Sequence, residues 1–445
     1  MDISGLIPSF GGFLYTAVAF VIALSIIVAV HEFGHYIVGR WSGIRADVFS
    51  LGFGPVLASR TDRRGTRWQI AAFPLGGYVR FHGDSDASSG RGDDSIETMS
   101  PEERRQTLHG APLWARAATV LAGPMFNFIL SILVFAGFFM VQGVATDTPT
   151  IGALKPLPES VAHFEPGDRI VAIAGKPTPD NAALFDVVDG LSPAATVDYT
   201  VERAGSDLTV TGPYPFPPLV DAVQPQTAAM EAGLEPGDVI LAVDGKPISA
   251  FSQLRDIVGN SDGKALDLSV WRDGKTLSVT LKPRRMDLPT ADGGFETRWL
   301  IGISGGLFYA PQTRTPGPVE ALGIGASQIW YIGKTSISGL WHMVTGAISS
   351  CNLRGPIGIA ETSGAAASQG AGSFIWFIAM LSTAVGLLNL FPVPVLDGGH
   401  LVFHLWEGVT GKPPSERALR ILMSVGLAAL IALMVFALSN DLFCP

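Results

Sequence analysis

Cysteine and charged side chains are the scarce residues of this 445-residue chain. Only Cys351 and Cys444 occur, which excludes a zinc knuckle or a disulfide framework, so any metal must be held by histidine and carboxylate groups. Charged residues make up 16% of the chain and hydrophobic residues 47%, whereas soluble domains carry about 25% charged residues. The net charge of −9 gives no basic surface for nucleic acid, and no Lys/Arg cluster with interleaved aromatic residues occurs. The composition therefore favours a membrane protein.

Four uncharged stretches are long enough to cross a bilayer, for which about 20 apolar residues are needed. They run from Phe13 to Val30, from Ala117 to Val144, from Phe374 to Leu396 and from Ile421 to Asn440. A cleaved signal peptide is the alternative for the first stretch, but no basic segment precedes it and no small-x-small cleavage site follows it. We therefore predict four transmembrane helices.

The distribution of basic residues predicts the orientation of these helices. The segment between the first and second stretches holds eleven arginines: Arg40, Arg45, Arg60, Arg63, Arg64, Arg67, Arg80, Arg91, Arg104, Arg105 and Arg116. The loop between the third and fourth holds Lys412, Arg417 and Arg420, whereas the segments before the first stretch and after the fourth hold no basic residue. By the positive-inside rule both basic loops are cytoplasmic, so both termini and residues 145–373 face outward. Residues 321–353 are then expected along the outer interface, because another span would invert the second basic loop.

A 14-residue segment of the outward-facing region occurs twice. Phe164–Pro177 reads FEPGDRIVAIAGKP and Leu234–Pro247 reads LEPGDVILAVDGKP, with nine identical positions. Each copy predicts a turn, a buried strand, a second turn, a short helix and alternating strands. The pattern resembles tandem PDZ domains of the circularly permuted bacterial type. Such domains bind extended chains at a sheet edge, although two spacer domains without a ligand are the alternative.

His31-Glu32-Phe33-Gly34-His35 follows the first apolar stretch and has the form H-E-x-x-H. On a helix, positions i and i+4 share a face, so both imidazoles can reach one zinc ion. Glu32 is then placed to take a proton from a metal-bound water, because zinc lowers the pKa of that water to about 7. The alternatives are helix-end groups that reach the interface, or an ion or proton relay.

A third metal ligand should be a carboxylate at the same membrane depth. Asp397 meets this requirement, because it closes the third apolar stretch on the side where His31 and His35 close the first. Three protein ligands would leave the fourth position of a catalytic zinc ion to water. We therefore predict a metal site formed by His31, His35 and Asp397.

Pro392 and Pro394 forbid a regular helix just before this carboxylate. Irregular backbone at membrane depth is tolerated only where it lines a cavity or is covered by protein. Asn389 precedes the break and could hydrogen-bond a substrate backbone, or it could cap the broken helix. His400 and His404 are competing ligands, but no Glu lies between them, which favours surface or supporting roles.

Together, H-E-x-x-H ending the first span, N-x-x-P-x-P-x-x-D-G ending the third and two PDZ-like modules between the second and third resemble the site-2 protease family. The resemblance covers nearly the whole chain. It implies one Zn²⁺ ion per chain on His31, His35 and Asp397. It also implies that Glu32 is the catalytic base and that Asn389 helps to hold the substrate.

Two further segments are similar to the same family. Residues 51–55 and 74–79 resemble its membrane-reentrant β-hairpin, in which Gly76, Gly77 and Tyr78 would hold an unwound substrate along an edge strand. Residues 122–128 resemble its Gly-Pro…Asn-Phe signature. Asn127 would support the active site there, although a role in helix packing is the alternative.

The expected fold is a polytopic α-helical membrane protein with four transmembrane helices, a membrane-reentrant β-hairpin and two α+β PDZ-like domains. The expected order is transmembrane helix 1 with the H-E-x-x-H motif (1–40), a cytoplasmic and reentrant β region (41–115), transmembrane helix 2 (116–145), PDZ-like domains (146–218 and 219–310), an interfacial amphipathic segment (311–373), transmembrane helix 3 with the Asp ligand (374–400), a cytoplasmic loop (401–420) and transmembrane helix 4 (421–445).

The expected function is that of an intramembrane zinc metalloendopeptidase of the bacterial inner membrane. The resemblance implies substrates that are single-span membrane proteins already trimmed in the periplasm, with an anti-sigma factor as the typical case. A metal-ion or proton transporter and a non-proteolytic PDZ scaffold are the alternatives. We expect a monomer in the lipid bilayer, with both termini and the PDZ-like domains in the periplasm and the active site near the cytoplasmic side.

Overall fold

The structure is a computed structural model that describes residues 6–84, 98–158, 163–224, 226–290 and 294–444. It divides into two compact units. The first consists of residues 1–138, 319–341 and 350–445, and the second of residues 139–318 and 342–349. The first unit carries the apolar helices, and the second carries most of the strands.

The helices, in chain order, are α1 (Leu6–Trp41), α2 (Pro101–Arg105), α3 (Leu113–Gln142), α4 (Asn181–Asp189), α5 (Ala228–Glu231), α6 (Phe251–Gly259), α7 (Pro318–Val344), α8 (Pro356–Ser368), α9 (Ala371–Asn389), α10 (Asp397–Thr410) and α11 (Glu416–Phe443). The strands are β1 (Ala46–Thr61), β2 (Arg67–Phe81), β3 (Val144–Ala145), β4 (Ile151–Leu154), β5 (Arg169–Ile173), β6 (Lys176–Pro177), β7 (Thr196–Arg203), β8 (Ser206–Pro213), β9 (Val220–Val223), β10 (Val239–Val243), β11 (Lys246–Pro247), β12 (Leu266–Arg272), β13 (Lys275–Leu281), β14 (Arg284–Pro289), β15 (Phe295–Leu300), β16 (Ile303–Gly305), β17 (Tyr309–Pro311) and β18 (Thr313–Arg314).

Four of these helices are long and apolar enough to cross a bilayer, which confirms the predicted number of candidate spans. They are Gly12–Trp41 within α1, then α3, α9 and α11, with mean hydropathies of 2.7, 2.1, 1.9 and 2.7. The third helix ends at Asn389, before the predicted limit at Leu396. Pro392 and Pro394 lie in the irregular segment that follows, where proline removes the backbone donor that a helix needs.

Two helices lie in the regions around α9 for which the sequence predicts a cytoplasmic loop and an interfacial segment. The predicted cytoplasmic loop 401–420 begins within a helix, because α10 runs from Asp397 to Thr410. The predicted interfacial segment 311–373 contains α8, whose Ala366 shares an apolar cluster with Ala23 and Ile27 of α1. The small side chains of α8 allow this close packing beside a candidate span, since helices in membranes associate through small residues.

Helices α1 and α3 approach closely because small residues face each other. A Cβ atom added to Gly34 would lie 2.5 Å from the carbonyl oxygen of Ala122. Similarly, a Cβ atom on Gly39 would lie 3.2 Å from the Thr119 side chain. Helix α9 joins the same bundle through hydroxyl groups, since Ser382 Oγ donates to the carbonyl oxygen of Asn127 at 3.0 Å. This packing brings the middle of α3 against the end of α1.

Strands β1 and β2 form an antiparallel hairpin that includes residues 51–55 and 74–79. The first half of β1 pairs with the end of β2, from Ala46–Phe81 to Leu51–Gly77, and its second half pairs with the beginning of β2. Gly52 has a φ of 89° at the bend between these halves, where a side chain would meet backbone oxygens of β2. The hairpin packs against the last turns of α1, with Phe49, Val79 and Phe81 in one apolar cluster.

The second unit contains two four-stranded sheets of the same topology. Their strand orders are β6-β5-β7-β8 and β11-β10-β12-β13, and each sheet has its own apolar core. The repeated Glu-Pro-Gly-Asp turn is held in the same way in both copies. Arg203 pairs with Asp168 in the first copy, and Arg272 pairs with Asp238 in the second. The sequence repeat is therefore a repeat of one folded module.

The segment around the predicted boundary at residue 310 contributes strands to both modules. Phe308 and Tyr309 lie in the core of the first module, and β17 pairs with β4 of that module. Strand β18 pairs with β3, whereas β16 pairs with β9 of the second module. One segment, 303–314, thus supplies strands to both modules. A sequence repeat shows which residues occur twice, but it does not show that a strand after the second copy pairs with the first.

A disulfide joins Cys351 and Cys444, the two cysteines of the chain. Asp441, one turn before Cys444, accepts hydrogen bonds from the backbone N–H groups of Gly355, Ile357 and Gly358 at the beginning of α8. The bridge closes the part of the chain that contains α8 to α11. The sequence excluded a framework of several bridges and did not predict this single bond.

Candidate active site

The three predicted metal ligands converge in the first unit. Their donor atoms are Nε2 of His31, Nε2 of His35 and Oδ2 of Asp397. The two nitrogen atoms lie 3.2 Å apart, and the carboxylate oxygen lies 3.2 Å from His31 and 3.5 Å from His35. Their side chains are only 12, 13 and 18% exposed. In the part of the chain that the structure describes, this is the one group of three such residues whose donor atoms meet.

A hydrogen bond at Nδ1 of His35 determines which ring nitrogen carries the proton. Nδ1 of His35 lies 2.8 Å from the backbone carbonyl oxygen of Thr119 on α3. A carbonyl oxygen can only accept, so Nδ1 must be the donor, and Nε2 of the neutral ring presents a lone pair to the cluster. This is the arrangement that metal-binding histidines adopt, because the outer hydrogen bond orients the ring.

Asn127 orients the ring of His31 in a similar way. Its side chain is fully buried, with the amide nitrogen 3.2 Å from Nδ1 of His31 and the amide oxygen without a hydrogen bond. Rotation of the amide by half a turn brings its oxygen to Nδ1 of His31, where it can accept a hydrogen bond. Nδ1 of His31 then donates, and Nε2 again presents a lone pair. One helix, α3, therefore orients both imidazoles.

Gly123 provides the space in which the two rings meet. A Cβ atom at this position would lie 2.3 Å from Nε2 of His35 and 2.8 Å from Cε1 of His31. No side chain larger than hydrogen fits there without displacing the rings. Gly123 stands one residue before Pro124 and four before Asn127, so a short stretch of α3 lines this face of the site.

The segment before α10 delivers the carboxylate. Residues 390–396 leave the helical path and form a compact turn, in which the N–H of Leu396 donates to the carbonyl oxygen of Val393. Gly398 and Gly399 allow the beginning of α10 to fold back on this turn. Cβ atoms there would lie 2.2 to 2.3 Å from the carbonyl oxygens of residues 390, 391 and 393. Asp397 is thus the first residue of a helix that packs tightly against the break.

Glu32 lies between the metal-ligand cluster and the hairpin. It interacts electrostatically with His31, His35 and Asp397, and its carboxylate accepts a hydrogen bond from the backbone of Val79 on β2. Gly77, two residues earlier, has its Cα close to the Glu32 side chain, since an added Cβ atom would lie 3.1 Å from Cγ of Glu32. The end of β2 is therefore the strand next to this carboxylate.

The donor set fits a zinc ion. Two imidazole nitrogens with lone pairs and one carboxylate are a ligand combination that zinc accepts. Oδ2 of Asp397 is buried and makes no hydrogen bond among the described residues, although it lies within 3.5 Å of both nitrogens. A buried carboxylate oxygen beside two lone-pair nitrogens is unfavourable unless a cation lies between them.

The other predicted residues lie around this cluster in different ways. The amide nitrogen of Asn389 donates to the carbonyl oxygen of Val385 at 3.1 Å, so it closes the end of α9. Its oxygen makes no hydrogen bond among the described residues. The hydroxyl of Tyr78 accepts from Gln69 at 3.1 Å, and its ring stacks on Phe53. Gly76 has a φ of 147° and contacts the same Phe53 ring.

The competing ligands His400 and His404 do not join the group of three converging donors. Burial lowers the pKa of His404 to about 4, with the nearby Arg116 as a further cause, so its ring is neutral. On the same helix, Glu407 forms an ion pair with Arg116 of α3 at 2.5 Å. The Arg116–Glu407 ion pair fastens α10 to the beginning of α3.

Thr119, Gly123, Arg116 and Glu407 are the site residues that sequence reasoning missed. Thr119 acts through its backbone, for which no side-chain pattern exists. Gly123 lies inside the segment that includes Asn127, and a glycine between apolar helical residues is a signal of close packing. The ion pair joins residues 291 positions apart and has no local signal.

Comparisons with known proteins agree on one family. The model of peptidase family M50 matches residues 19–433. Over 432 residues, 96% of each chain, the sequence is 37% identical to a protein of Rhizobium meliloti (strain 1021) whose name describes it as a candidate zinc metalloprotease. It is 34% identical over 461 residues to the regulator of sigma-E protease RseP of Escherichia coli (strain K12), covering 96% of this chain and 98% of that protein. The same identity is found over 460 residues for RseP of Salmonella typhimurium (strain 14028s / SGSC 2262), with the same two coverages.

Proposed function

The chain belongs to peptidase family M50, the site-2 protease family, and on this premise we propose that it cuts peptide bonds at membrane depth with a His31–His35–Asp397 zinc site. Its membership makes it a zinc metalloprotease of the inner membrane. The observation that carries the site assignment is the meeting of the three donor atoms within 3.5 Å, with each imidazole oriented from α3.

In this proposal, bound zinc supplies Lewis acidity that polarises the scissile carbonyl and favours the ionisation of water. Glu32 takes the proton of the attacking water and later gives it to the leaving amine. Two contacts suit this role, because Val79 holds the carboxylate by a hydrogen bond and the metal ligands lie within electrostatic reach. No nucleophilic side chain is needed, since water is the attacking group.

The end of β2 is proposed to hold the substrate in extended form. Gly77 and Val79 lie beside Glu32, and a glycine there lets another backbone come close. A transmembrane helix must unwind before its carbonyl groups can react, and pairing with a strand satisfies the freed backbone groups. The oxygen of Asn389 is proposed to accept a hydrogen bond from the same unwound segment.

The membrane position of the hairpin is part of the proposal. Its outer half exposes apolar side chains, among them Phe53, Leu57 and Phe73, with exposures of 44, 70 and 60%. Water would disfavour such a surface, whereas the hydrocarbon of a bilayer accepts it. This supports a reentrant hairpin.

The orientation is proposed from two independent features. The positive-inside rule assigns the loops 31–116 and 412–420 to the cytoplasm and residues 350–353 and 444 to the periplasm. Cys351 and Cys444 form a disulfide, and disulfides persist in the oxidising periplasm rather than in the cytosol. Both features support periplasmic termini and a metal site near the cytoplasmic side.

The two repeated modules are proposed to be PDZ-like domains that act on the substrate before cleavage. RseP, named as a regulator of sigma-E protease, is the relative that guides the choice of substrate class. We propose single-span membrane proteins of the anti-sigma factor type, admitted after periplasmic trimming. The modules would bind an extended segment or exclude an untrimmed ectodomain.

Replacement of Glu32 by Gln tests the chemistry. We expect Glu32→Gln to retain one zinc ion per chain and to lose cleavage by a factor of at least about 100, the lower end of typical general-base contributions. Candidate single-span proteins are co-expressed with wild-type and variant protein, and the cut sites are mapped by mass spectrometry.

Glu416→Gln is the matched control, because Glu416 is exposed at the beginning of α11. It should cleave like the wild type. Cleavage by Glu32→Gln at the wild-type rate would contradict the assigned base. Loss of zinc from that variant would mean that Glu32 is a ligand.

A further inference from the structure

A pocket lined by three arginines lies at the polar end of α1. Its volume is about 260 Å³, and Arg40, Arg45 and Arg64 form its charged wall. The remaining lining residues are Gly43, Ile44, Ala46, Thr66 and Gln106. None of these residues belongs to the group His31, His35 and Asp397, so the pocket is a separate feature of the molecule.

Arg40 is held in a fixed position. Its Nη1 donates to the hydroxyl of Tyr36 at 2.7 Å, and its guanidinium group lies 5.4 Å from the centre of the same ring. The side chain is only 18% exposed. A guanidinium group has five N–H donors, so this contact leaves donors for a ligand. A partly desolvated cation held in this way is preorganised to bind an anion.

The nearby carboxylate of Asp62 is already satisfied by other groups. Oδ1 accepts from the backbone N–H groups of Arg64 and Thr66 at 2.8 and 3.0 Å. Oδ2 accepts from the indole N–H of Trp68 at 3.2 Å, while Nη1 of Arg40 is 3.9 Å away. The carboxylate therefore neutralises Arg40 only in part.

The other two arginines of the pocket have different surroundings. Arg45 has a carboxylate close by, since its Nε lies 3.3 Å from Oδ1 of Asp47. The guanidinium group of Arg64 has no ion pair in the part of the chain that the structure describes, and its side chain is exposed. A fourth arginine, Arg105, brings its guanidinium nitrogens within 4.0 Å of the Cβ position of Gly43. The pocket therefore has an excess of positive charge, and like charges around one cavity repel unless an anion joins them.

The place of the pocket indicates the chemistry of that anion. Arg40 and the 75% exposed Trp41 end the candidate span of α1, and tryptophan beside basic residues is typical of the level of lipid headgroups. Arginine binds phosphate oxygens in pairs through its planar fork. We propose that this arginine pocket binds a phosphate group, presented by an anionic phospholipid of the adjacent leaflet or by a free phosphate ester.

The test uses the full-length protein in neutral detergent after removal of co-purified lipid. Binding of three probes is measured by native mass spectrometry and by the shift of the unfolding temperature. Phosphatidylglycerol carries tails and phosphate, diacylglycerol carries the tails alone, and glycerol 3-phosphate carries the phosphate alone. The double variant Arg45→Gln/Arg64→Gln removes half of the arginines around the pocket. Arg417→Gln/Arg420→Gln removes the same charge from the other basic loop and is the matched control.

We expect phosphatidylglycerol to bind the wild type and the control variant alike, and the pocket variant at least about tenfold more weakly, the loss that one charge-assisted hydrogen bond accounts for. Diacylglycerol should not distinguish the three proteins. If glycerol 3-phosphate also binds in an Arg45- and Arg64-dependent way, the phosphate alone is the ligand. If it does not, the ligand is the lipid headgroup held together with its tails.

Equal affinity of phosphatidylglycerol for the wild type and the pocket variant would overturn the proposal. An equal loss of affinity in the control variant would overturn it as well, because the effect would then be one of overall charge. Zinc content is measured on every variant. An unchanged content shows that the pocket variant is folded, so weak binding cannot be attributed to unfolding.

Discussion

At the scale of single residues, the metal site depends on side chains that are small as much as on those that bind. Gly123 lies against both imidazoles, and Gly77 lies against the proposed catalytic base. Each glycine stands where a helix or strand passes a functional side chain without room for a methyl group. At such positions, the distance between two packed backbone segments directly determines where the functional side chain lies.

Replacement of Gly123 by Ala tests this point. The new methyl group would overlap Nε2 of His35, so the rings must turn away from their shared point. We expect zinc content to fall to less than half of the wild-type value and cleavage to fall with it. Zinc is measured by atomic emission on purified protein.

Gly137→Ala is the control on the same helix, because an added Cβ atom there meets nothing within 4 Å. It should keep its zinc and cleave like the wild type. Full zinc occupancy in Gly123→Ala would show that the rings have more freedom than the packing indicates.

At the scale of elements, α3 and α10 together define the site. Helix α3 orients both histidines through Thr119 and Asn127, and α10 begins with Asp397, the third proposed ligand. The Arg116–Glu407 pair, 15 and 19% exposed, joins these two helices at 2.5 Å. A rigid α10 held at its far end keeps Asp397 in register with the rings on α1. Glu407 and Arg116 are therefore positioning residues.

Charge exchange tests the role of this pair. Glu407→Gln leaves a mostly buried guanidinium group without its partner, and we expect a destabilisation of about 3 kcal/mol, the lower end for a broken buried pair because some exposure remains. We also expect zinc affinity to fall. Both are measured by thermal unfolding and by competition with a zinc chelator.

The double variant Arg116→Glu/Glu407→Arg recreates the attraction with the charges exchanged. It should recover a large part of the lost stability and of the lost zinc affinity. Each single charge reversal should lower both more than Glu407→Gln does. Zinc affinity that stays at the wild-type level in Glu407→Gln, together with lowered stability, would assign the pair to the fold alone.

At the scale of the whole molecule, one covalent bond closes the membrane unit. The bridge between Cys351 and Cys444 spans 93 positions and encloses helices α8 to α11, the region that carries Asp397. Asp441 strengthens the same junction by capping α8. The end of α11 and the beginning of α8 are therefore tied twice.

Removal of the bridge should lower stability without removing the chemistry. For Cys351→Ser/Cys444→Ser we expect the free energy of unfolding to fall by up to about 4 kcal/mol. This value is an upper limit, because the apolar helices stay inserted in the membrane when the protein unfolds, so the unfolded chain gains less freedom than a soluble loop of this length. Cleavage and zinc content should remain. Thermal unfolding with and without reductant measures the effect, and reductant should change only the wild type.

The same cysteines report the orientation of the chain. In intact spheroplasts, the remaining thiol of Cys351→Ser or Cys444→Ser should react with a membrane-impermeant maleimide, and wild-type protein should react only after reduction. Labelling of the single variants only after the membrane is opened would place both termini of this region in the cytoplasm and contradict the proposed orientation.

How much of this was predictable differs between local and long-range features. The four apolar helices, the H-E-x-x-H motif and the repeated segment follow from residues close together in the chain. The structure confirms the four candidate helices, and it has two four-stranded sheets of the same strand order. The third apolar stretch extends to Leu396, but Pro392 and Pro394 within it predict a break, and the third candidate span ends at Asn389. Hydropathy measures transfer into the bilayer, and it does not measure the loss of backbone donors.

The sequence by itself determined the candidate spans, the donor residues and the module that repeats, because each of these depends on the spacing of side chains along a helix or strand. Only the tertiary structure decided how they combine. It brought Thr119 and Asn127 to the Nδ1 atoms of the histidines. It also joined Arg116 to Glu407, paired Cys351 with Cys444 and paired β17 with β4 of the first module. The physical reason is that these contacts arise from the packing of distant segments, and no local pattern records which distant segment a helix face or strand edge will meet.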